Sequence, residues 1–324
     1  MLLAQGRWRE LLARYGLLLA LVVMVIVLAS ISDRFLTTSN IINVLRQISV
    51  NAIIAFGMTV VIIGAGIDLS VGSLLALVGV IAALLATSAG LPVWLVLILA
   101  VLIGLGLGTI NGGFVGYAGV APFIVTLAGL TIFRGATLVA TDGRPVSGLP
   151  PVFAVFGRGA AGRTFGIPHS FVLTLLIVGL AWWFLRHFRS GRHLYAVGGN
   201  PVAALRAGVK VSALAVASYV TIGALAGLAS AFVIASGTST LEQSVGIGME
   251  LLVIAAVVIG GTSVLGGRGS VLGTLLGAVL VQTVRSGVTQ IGWPSQSSDL
   301  FVGLAIILAV GVDIVRERRA RKES

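Results

Sequence analysis

The stretch IIGAGIDLSVGSLLAL, Ile62–Leu77, sets one carboxylate, Asp68, between two apolar runs, with Gly64, Gly66 and Gly72 around it. Charge within a bilayer is expensive, so an ionisable residue in such a setting faces a bundle interior, a partner or a water-filled cavity. Asp68 is read in two ways. Either it lies on the path of a solute or pins a broken helix, or a helix ends here and Asp68 meets water and caps the next helix, a role Ser70 could share. The surrounding glycines weaken a helix, so both readings place a helix break here. Further polar side chains interrupt apolar runs at Asn51, Asn111, Thr126, Thr131, Arg134 and Arg285. On an interior face they suit a polar solute such as a sugar, and equally suit interhelical hydrogen bonds. Arg134 also has a stem long enough to snorkel to an interface. Glu250 opens another apolar run, where a carboxylate complements the helix dipole; contact with an external partner is the alternative.

Catalytic constellations are missing from this sequence. It contains no G-x-x-x-x-G-K-[ST], hence no phosphate-cradling loop. His169, His187 and His193 are scattered near loops and do not make a metal site. Without cysteine there are no disulfides and no thiolate ligands. No Ser-His-Asp arrangement or carboxylate pair is present. The expectation is no catalytic residue, no bound metal and no cofactor in the chain itself.

The elements that must position these residues follow from composition. Of 324 residues 57% are hydrophobic and 10% charged, against about 25% charged in soluble domains. Mean hydropathy is +1.11. These values describe an all-α integral membrane protein, and no long polar segment divides residues 1–324 into two domains. With about 20 apolar residues per span, ten spans are expected near 15–32, 48–66, 71–88, 92–116, 122–140, 170–186, 213–236, 250–265, 268–288 and 299–315. Together they form one bundle over 15–315. Glycine-rich links join the second span to the third and the eighth to the ninth, which marks these pairs as broken or re-entrant.

The net charge of +11 is explained by basic residues at helix ends, and no aromatic-basic interleaving points to nucleic acid. A cytoplasmic N-terminus puts most Lys and Arg inside; Arg34, Arg46, Arg144, Arg158 and Arg163 fall outside. An even number of spans then places both termini inside, with a basic tail at 316–324. The N-terminal run from Leu17 to Ile31 lacks a clear small-residue cleavage site and reads as an uncleaved first span. Small residues recur every fourth position at Gly104, Gly108, Gly112 and Gly116, at Gly223, Gly227 and Ala231, and at Gly269, Gly273 and Gly277. That spacing lets helix backbones approach closely in lipid. Val61–Gly79 weakly echoes Val257–Val279: each reads as apolar helix, glycine-rich break, apolar helix.

Residues 187–212 form a basic internal loop. In YAVGGNPVAALRAGVK, Asn200 suits an N-cap and Pro201 the first helical turn; a short helix follows, and Gly208 suits its end. Three stretches now carry a family resemblance: SVNAIIAFGMTVVIIGAGIDLSVGSLLAL (Ser49–Leu77), GRHLYAVGGNPVAALRAGVKV (Gly191–Val211) and GMELLVIAAVVIGGTSVLGGRGSVLGTLLGAVL (Gly248–Leu280). The chain resembles the permease subunits of ribose-type ABC sugar importers over most of its length.

The resemblance implies a multi-pass protein of the bacterial cytoplasmic (inner) membrane. Two permease chains, as a homodimer or heterodimer, form the pore. A separate ABC ATPase with two nucleotide-binding domains holds ATP and Mg, and a periplasmic binding protein delivers a monosaccharide, with ribose the closest. By the same resemblance, Gly198, Gly199, Asn200, Pro201, Ala203, Ala204, Arg206 and Gly208 form the coupling helix region that meets the ATPase. Asn51, Asp68, Ser70, Asn111, Thr126, Arg134 and Glu250 are candidates for the translocation pathway. Gly64, Gly66, Gly72, Gly260, Gly261, Gly266, Gly267 and Gly269 are structural. This sequence has Pro201 and Val202 after Gly-Gly-Asn, where family members often carry an acidic or other polar residue, so the resemblance does not fix the exact ATPase contacts. The competing readings are an ion-coupled secondary transporter of a small polar solute, an importer of the furanosyl signal autoinducer-2, and a membrane scaffold.

Overall fold

In the computed structural model, the residues described are 2–156, 162–236, 240–307 and 311. Helix α1 is Leu2–Ile31, α2 Thr38–Ile63, α3 Val71–Thr87, α4 Val93–Gly116 and α5 Pro122–Thr141. Helices α6 (His169–His187), α7 (Arg189–Gly199), α8 (Pro201–Arg206) and α9 (Val211–Ser236) follow, then α10 (Met249–Ile259) and α11 (Val271–Gln290). A further helix, α12, is Ser297–Ile307. Four two-residue strands decorate one end. Of these, β1 (Val146–Ser147) pairs antiparallel with β4 (Thr240–Leu241), and β2 (Arg163–Thr164) with β3 (Ile167–Pro168).

Among the described residues six helices are long and apolar enough to cross a bilayer: α2, α4, α5, α6, α9 and α11. The other four expected spans also have helical counterparts: α1, with its apolar stretch Tyr15–Ile31, α3, α10, and α12, whose described part ends at Ile307. Glycine-rich breaks bound α3 and α10. The segment 64–70 delays α3, whose 17 residues rise about 26 Å, short of a core about 30 Å thick. Gly260 ends α10 after 11 residues. Helix α2 in turn starts ten residues before the expected 48, because Thr37 accepts from Asn40 N–H and caps it. Part of the expected tenth span and the 316–324 tail lie outside the described residues.

Burial orders the bundle. Helix α2 is 83% buried along its apolar window and α4 only 22%, so α2 is the central helix and α4 lies at the periphery. Helix α2 packs against α6, α9, α10 and α11, and α3 packs against α4, α5 and α9. Outward-facing Trp94, Leu102, Ile110 and Phe114 give α4 an apolar outer side, as a lipid-facing helix requires. Its other side carries the first glycine row. A Cβ on Gly104 would overlap Gly223 O, and one on Gly108 would overlap Tyr219 O. The first and second rows therefore pack against each other. Gly273 and Gly277, from the third row, pack on the backbone of α10 at Gly260 and Ala256.

Candidate functional site

Two helix breaks and the internal loop meet at one backbone junction. Gly267 N–H donates to Ile63 O at 2.9 Å, so the α10–α11 link hydrogen-bonds the last residue of α2. Gly198, near the end of α7, is buried between them, and a Cβ there would overlap Ile63 O and Gly267 N. Gly266 and Gly267 have φ of +87° and +70°, a region that favours glycine over any side chain. The two arms that echo each other in sequence thus touch at their breaks. At the first break the left-handed residue is Ala65 (φ 62°), whereas Gly64 keeps φ −75° as the α2 C-cap. The glycines beside Asp68 therefore serve close approach: Gly66 against Tyr219, and Gly72 against Gly246 O and Glu250. Gly260 packs on Gly273, Gly269 on Ile63 and Thr262, and Gly261 has φ +86°.

Asp68 is 1% exposed, which removes the second of its two readings, a carboxylate meeting water at a helix end. Its Oδ1 accepts from Ser70 N–H at 2.8 Å and from Ser70 Oγ–H at 2.6 Å. Asn111 Nδ2 donates to Ser70 Oγ at 2.9 Å. Ile67 O accepts from Tyr219 Oη at 3.2 Å and from Thr126 Oγ1 at 3.3 Å. Asp68, Ser70, Asn111 and Thr126 thus form one buried network that holds the extended segment between α2 and α3 to α4, α5 and α9. Tyr219 belongs to it too, and sequence reading missed it because a lone tyrosine in an apolar helix carries no signal.

The internal loop folds as two helices, α7 and α8, rather than the single short helix expected. Asn200 Oδ1 accepts from Ala203 N–H at 2.9 Å and caps α8, with Pro201 in its first turn. Gly199, Asn200, Pro201, Ala203, Arg206 and Gly208 are exposed, and Gly208 has φ +82°. Gly198 and Ala204 face inward instead, Ala204 against Val197 and Val209. Val202 and Leu205, one turn apart on α8, are 58% and 63% exposed; their i, i+3 spacing was the available signal. Tyr195 Oη donates to Gly269 O at 3.1 Å and ties α7 to the second break. Burial pushes the Tyr195 phenol up, so it stays a donor at neutral pH. A cavity of ≈ 220 Å³ lies beside this junction, lined by Ala65, Leu194, Pro201 and Tyr219 among others.

Arg134 is engaged within the protein. Its Nη1 donates to Gln243 O at 2.8 Å and Val245 O at 3.1 Å, clamping the loop that leads into α10. Glu250, half-buried in the first turn of α10, lies against Gly72. Asn51 stands apart from these groups, on a polar seam between α2 and α11. Its Nδ2 donates to Gln282 Oε1 at 3.1 Å, and Gln282 Nε2 donates to Gln47 Oε1 at 2.6 Å. Further along the seam Thr59 and Thr274 hydroxyls meet at 2.7 Å.

Comparison with known proteins gives this architecture its relatives. Residues 40–310 match the family described as branched-chain amino acid transport system / permease component. The Ribose import permease protein RbsC of Bacillus subtilis is 42% identical over 302 residues, 93% of this chain and 92% of that protein. The protein of the same name in Haemophilus influenzae is 40% identical over 296 residues, 91% of each chain. The D-allose transport system permease protein AlsC of Escherichia coli is 36% identical over 301 residues, 93% of this chain and 91% of that protein. No solved structure matches the chain.

Proposed function

This chain belongs to the branched-chain amino acid transport system / permease component family, and we propose that it is the membrane subunit of an ATP-driven importer of a monosaccharide, ribose first. The support for ribose is 40–42% identity to ribose import permeases over more than nine-tenths of their length. In this reading the chain works in the bacterial inner membrane with both termini in the cytoplasm and ten membrane-embedded segments. It pairs with a second permease chain. ATP and Mg belong to a separate ABC ATPase with two nucleotide-binding domains, and an external binding protein hands over the sugar.

The observation that carries the coupling mechanism is the junction of Ile63, Gly198 and Gly267. Helix α8 presents Val202 and Leu205 outward, an apolar pair suited to a groove on the ATPase. Helix α7 runs from that contact into both helix breaks, with no flexible linker between. When the ATPase halves close, a displaced α8 carries α7 with it, and the ends of α2, α3, α10 and α11 move together. ATP shifts the permease only as far as the ATPase prefers one of its two states over the other. Asp68 and its network act here as the pin that keeps the first break ordered while it moves. An ion-coupled transporter would instead need its carboxylate open to the aqueous path, and Asp68 is buried with its Oδ1 held by Ser70.

Gentle extraction from the native membrane, followed by mass spectrometry of the bound chains, tests this reading. The expected result is an ATPase of two nucleotide-binding domains in stoichiometric amounts, lost on Leu205→Asp. Reproducible purification with no ATPase, under conditions that keep other importers intact, would contradict it.

A further inference from the structure

We propose that the ends of α2 and α11 remote from the helix breaks form a binding site for an uncharged polyhydroxyl ring, so that the permease itself holds the sugar in transit. This rests on the importer reading and adds a location to it. On α2, Asn40, Asn43, Gln47 and Asn51 follow i, i+3, i+7, i+11 spacing and share one face. That face spans about 17 Å of helix. Gln282, Arg285 and Thr289 repeat the pattern on α11. Two adjoining clefts open between the helices, of ≈ 300 and ≈ 200 Å³, and both are lined by Gln47 and Arg285. Their combined size reaches the lower range of small-molecule pockets.

The seam divides into a structural part and an available part. Gln282 is 1% exposed, with its amide oxygen and nitrogen both engaged by Asn51 and Gln47. Asn40 Oδ1 likewise accepts from Ser286 Oγ and Gln290 Nε2. These bonds hold the helices together. What they leave over faces the clefts. Asn51 Oδ1 and Gln47 Nε2 have no hydrogen-bond partner among the described residues, and the half-buried Arg285 guanidinium has neither hydrogen bond nor ion pair there. No Asp or Glu lines either cleft; the second cation there, Arg46, lines the smaller cleft and is engaged by Asn43 Oδ1.

The chemistry of the free groups selects the ligand. An amide offers a donor and an acceptor side by side, and so does each hydroxyl of a sugar. An anion only accepts, and would leave Asn51 Oδ1 facing a negative charge. Arg285 supplies a planar pair of donors, which matches two neighbouring hydroxyl oxygens. Binding here is weak by construction, because few groups converge and the cleft is open. That suits a transit site, from which the sugar must also leave.

The experiment uses the full complex in proteoliposomes, with ATPase and binding protein present and ribose as the probe. Arg285→Met and Arg285→Leu both remove the free guanidinium and leave the Asn51–Gln282–Gln47 bonds in place. Ribose uptake is expected to fall about tenfold in either variant, while ATP hydrolysis stimulated by the loaded binding protein, and the thermal unfolding of the complex, stay as in the parent. Normal uptake in both variants would overturn the site. Parallel loss of uptake and stimulated hydrolysis would overturn it as well, and would assign the cleft to contact with the binding protein or to folding. A parent complex that shows no ATP-dependent uptake would defeat the importer reading itself, a result distinct from either of these.

Discussion

Replacing Asp68 by Ala leaves the Ser70 N–H and hydroxyl without their shared acceptor inside the protein. Each unsatisfied buried group costs about 1–3 kcal/mol, so Asp68→Ala is expected to lower the unfolding temperature in detergent clearly. Asp68→Asn keeps an acceptor oxygen, and should retain stability and uptake. Loss of uptake in Asp68→Asn with unchanged stability would assign the charge itself a role in transport. Ala65 is the complementary case. It holds φ +62°, a conformation costing an ordinary residue about 1–2 kcal/mol. Ala65→Gly should raise the unfolding temperature slightly, and a fall would mean that the Ala65 methyl packing against Gly266 outweighs the relief. At this scale the sequence marked Asp68 as unusual but not as buried, since depth depends on which helices close over the break. Gln47 and Gln282 escaped notice because their partnership crosses 235 positions of chain.

Between elements, two adjacent glycines make opposite demands. A methyl on Gly198 would overlap the Ile63 carbonyl, whereas one on Gly199 would meet open space. Overpacking of this kind costs about 1–3 kcal/mol, here concentrated where the loop meets both breaks. Gly198→Ala should therefore cut ATP-dependent uptake severely while the protein still inserts, and Gly199→Ala should leave it near the parent value. Equal effects from the two would remove the mechanical role given to α7. The α4–α9 contact gives a second pair. Gly108→Val forces the helices apart at Tyr219 O and should reduce the yield of folded protein, while Gly106→Ala projects into open space and should not. Fourfold spacing of small residues made these rows readable as packing faces. It could not say that the first two rows face each other, because identical rows are interchangeable until the bundle is assembled. The Asn200 cap and α8 were legible from local chemistry alone. Helix α7 was not, since its glycines read as loop and its support comes from tertiary burial of Leu194 and Val197.

At the scale of the molecule, hydropathy located helices at all ten expected apolar segments, six of them long enough to span among the described residues. The eighth span is the one that ends early, at Ile259 against an expected 265, because a sliding ruler counts apolar residues and does not register a change of chain direction. The two glycine-rich breaks are the places where the loop and the two echoing arms converge. The measurement that bears most directly on a permease worked from below is ribose uptake into sealed vesicles carrying this chain, its ATPase and its binding protein, with and without ATP, and with ion gradients collapsed. Uptake that requires ATP and ignores the collapse is the predicted result. Uptake that continues without ATP or ATPase and stops when the gradients are collapsed would contradict it.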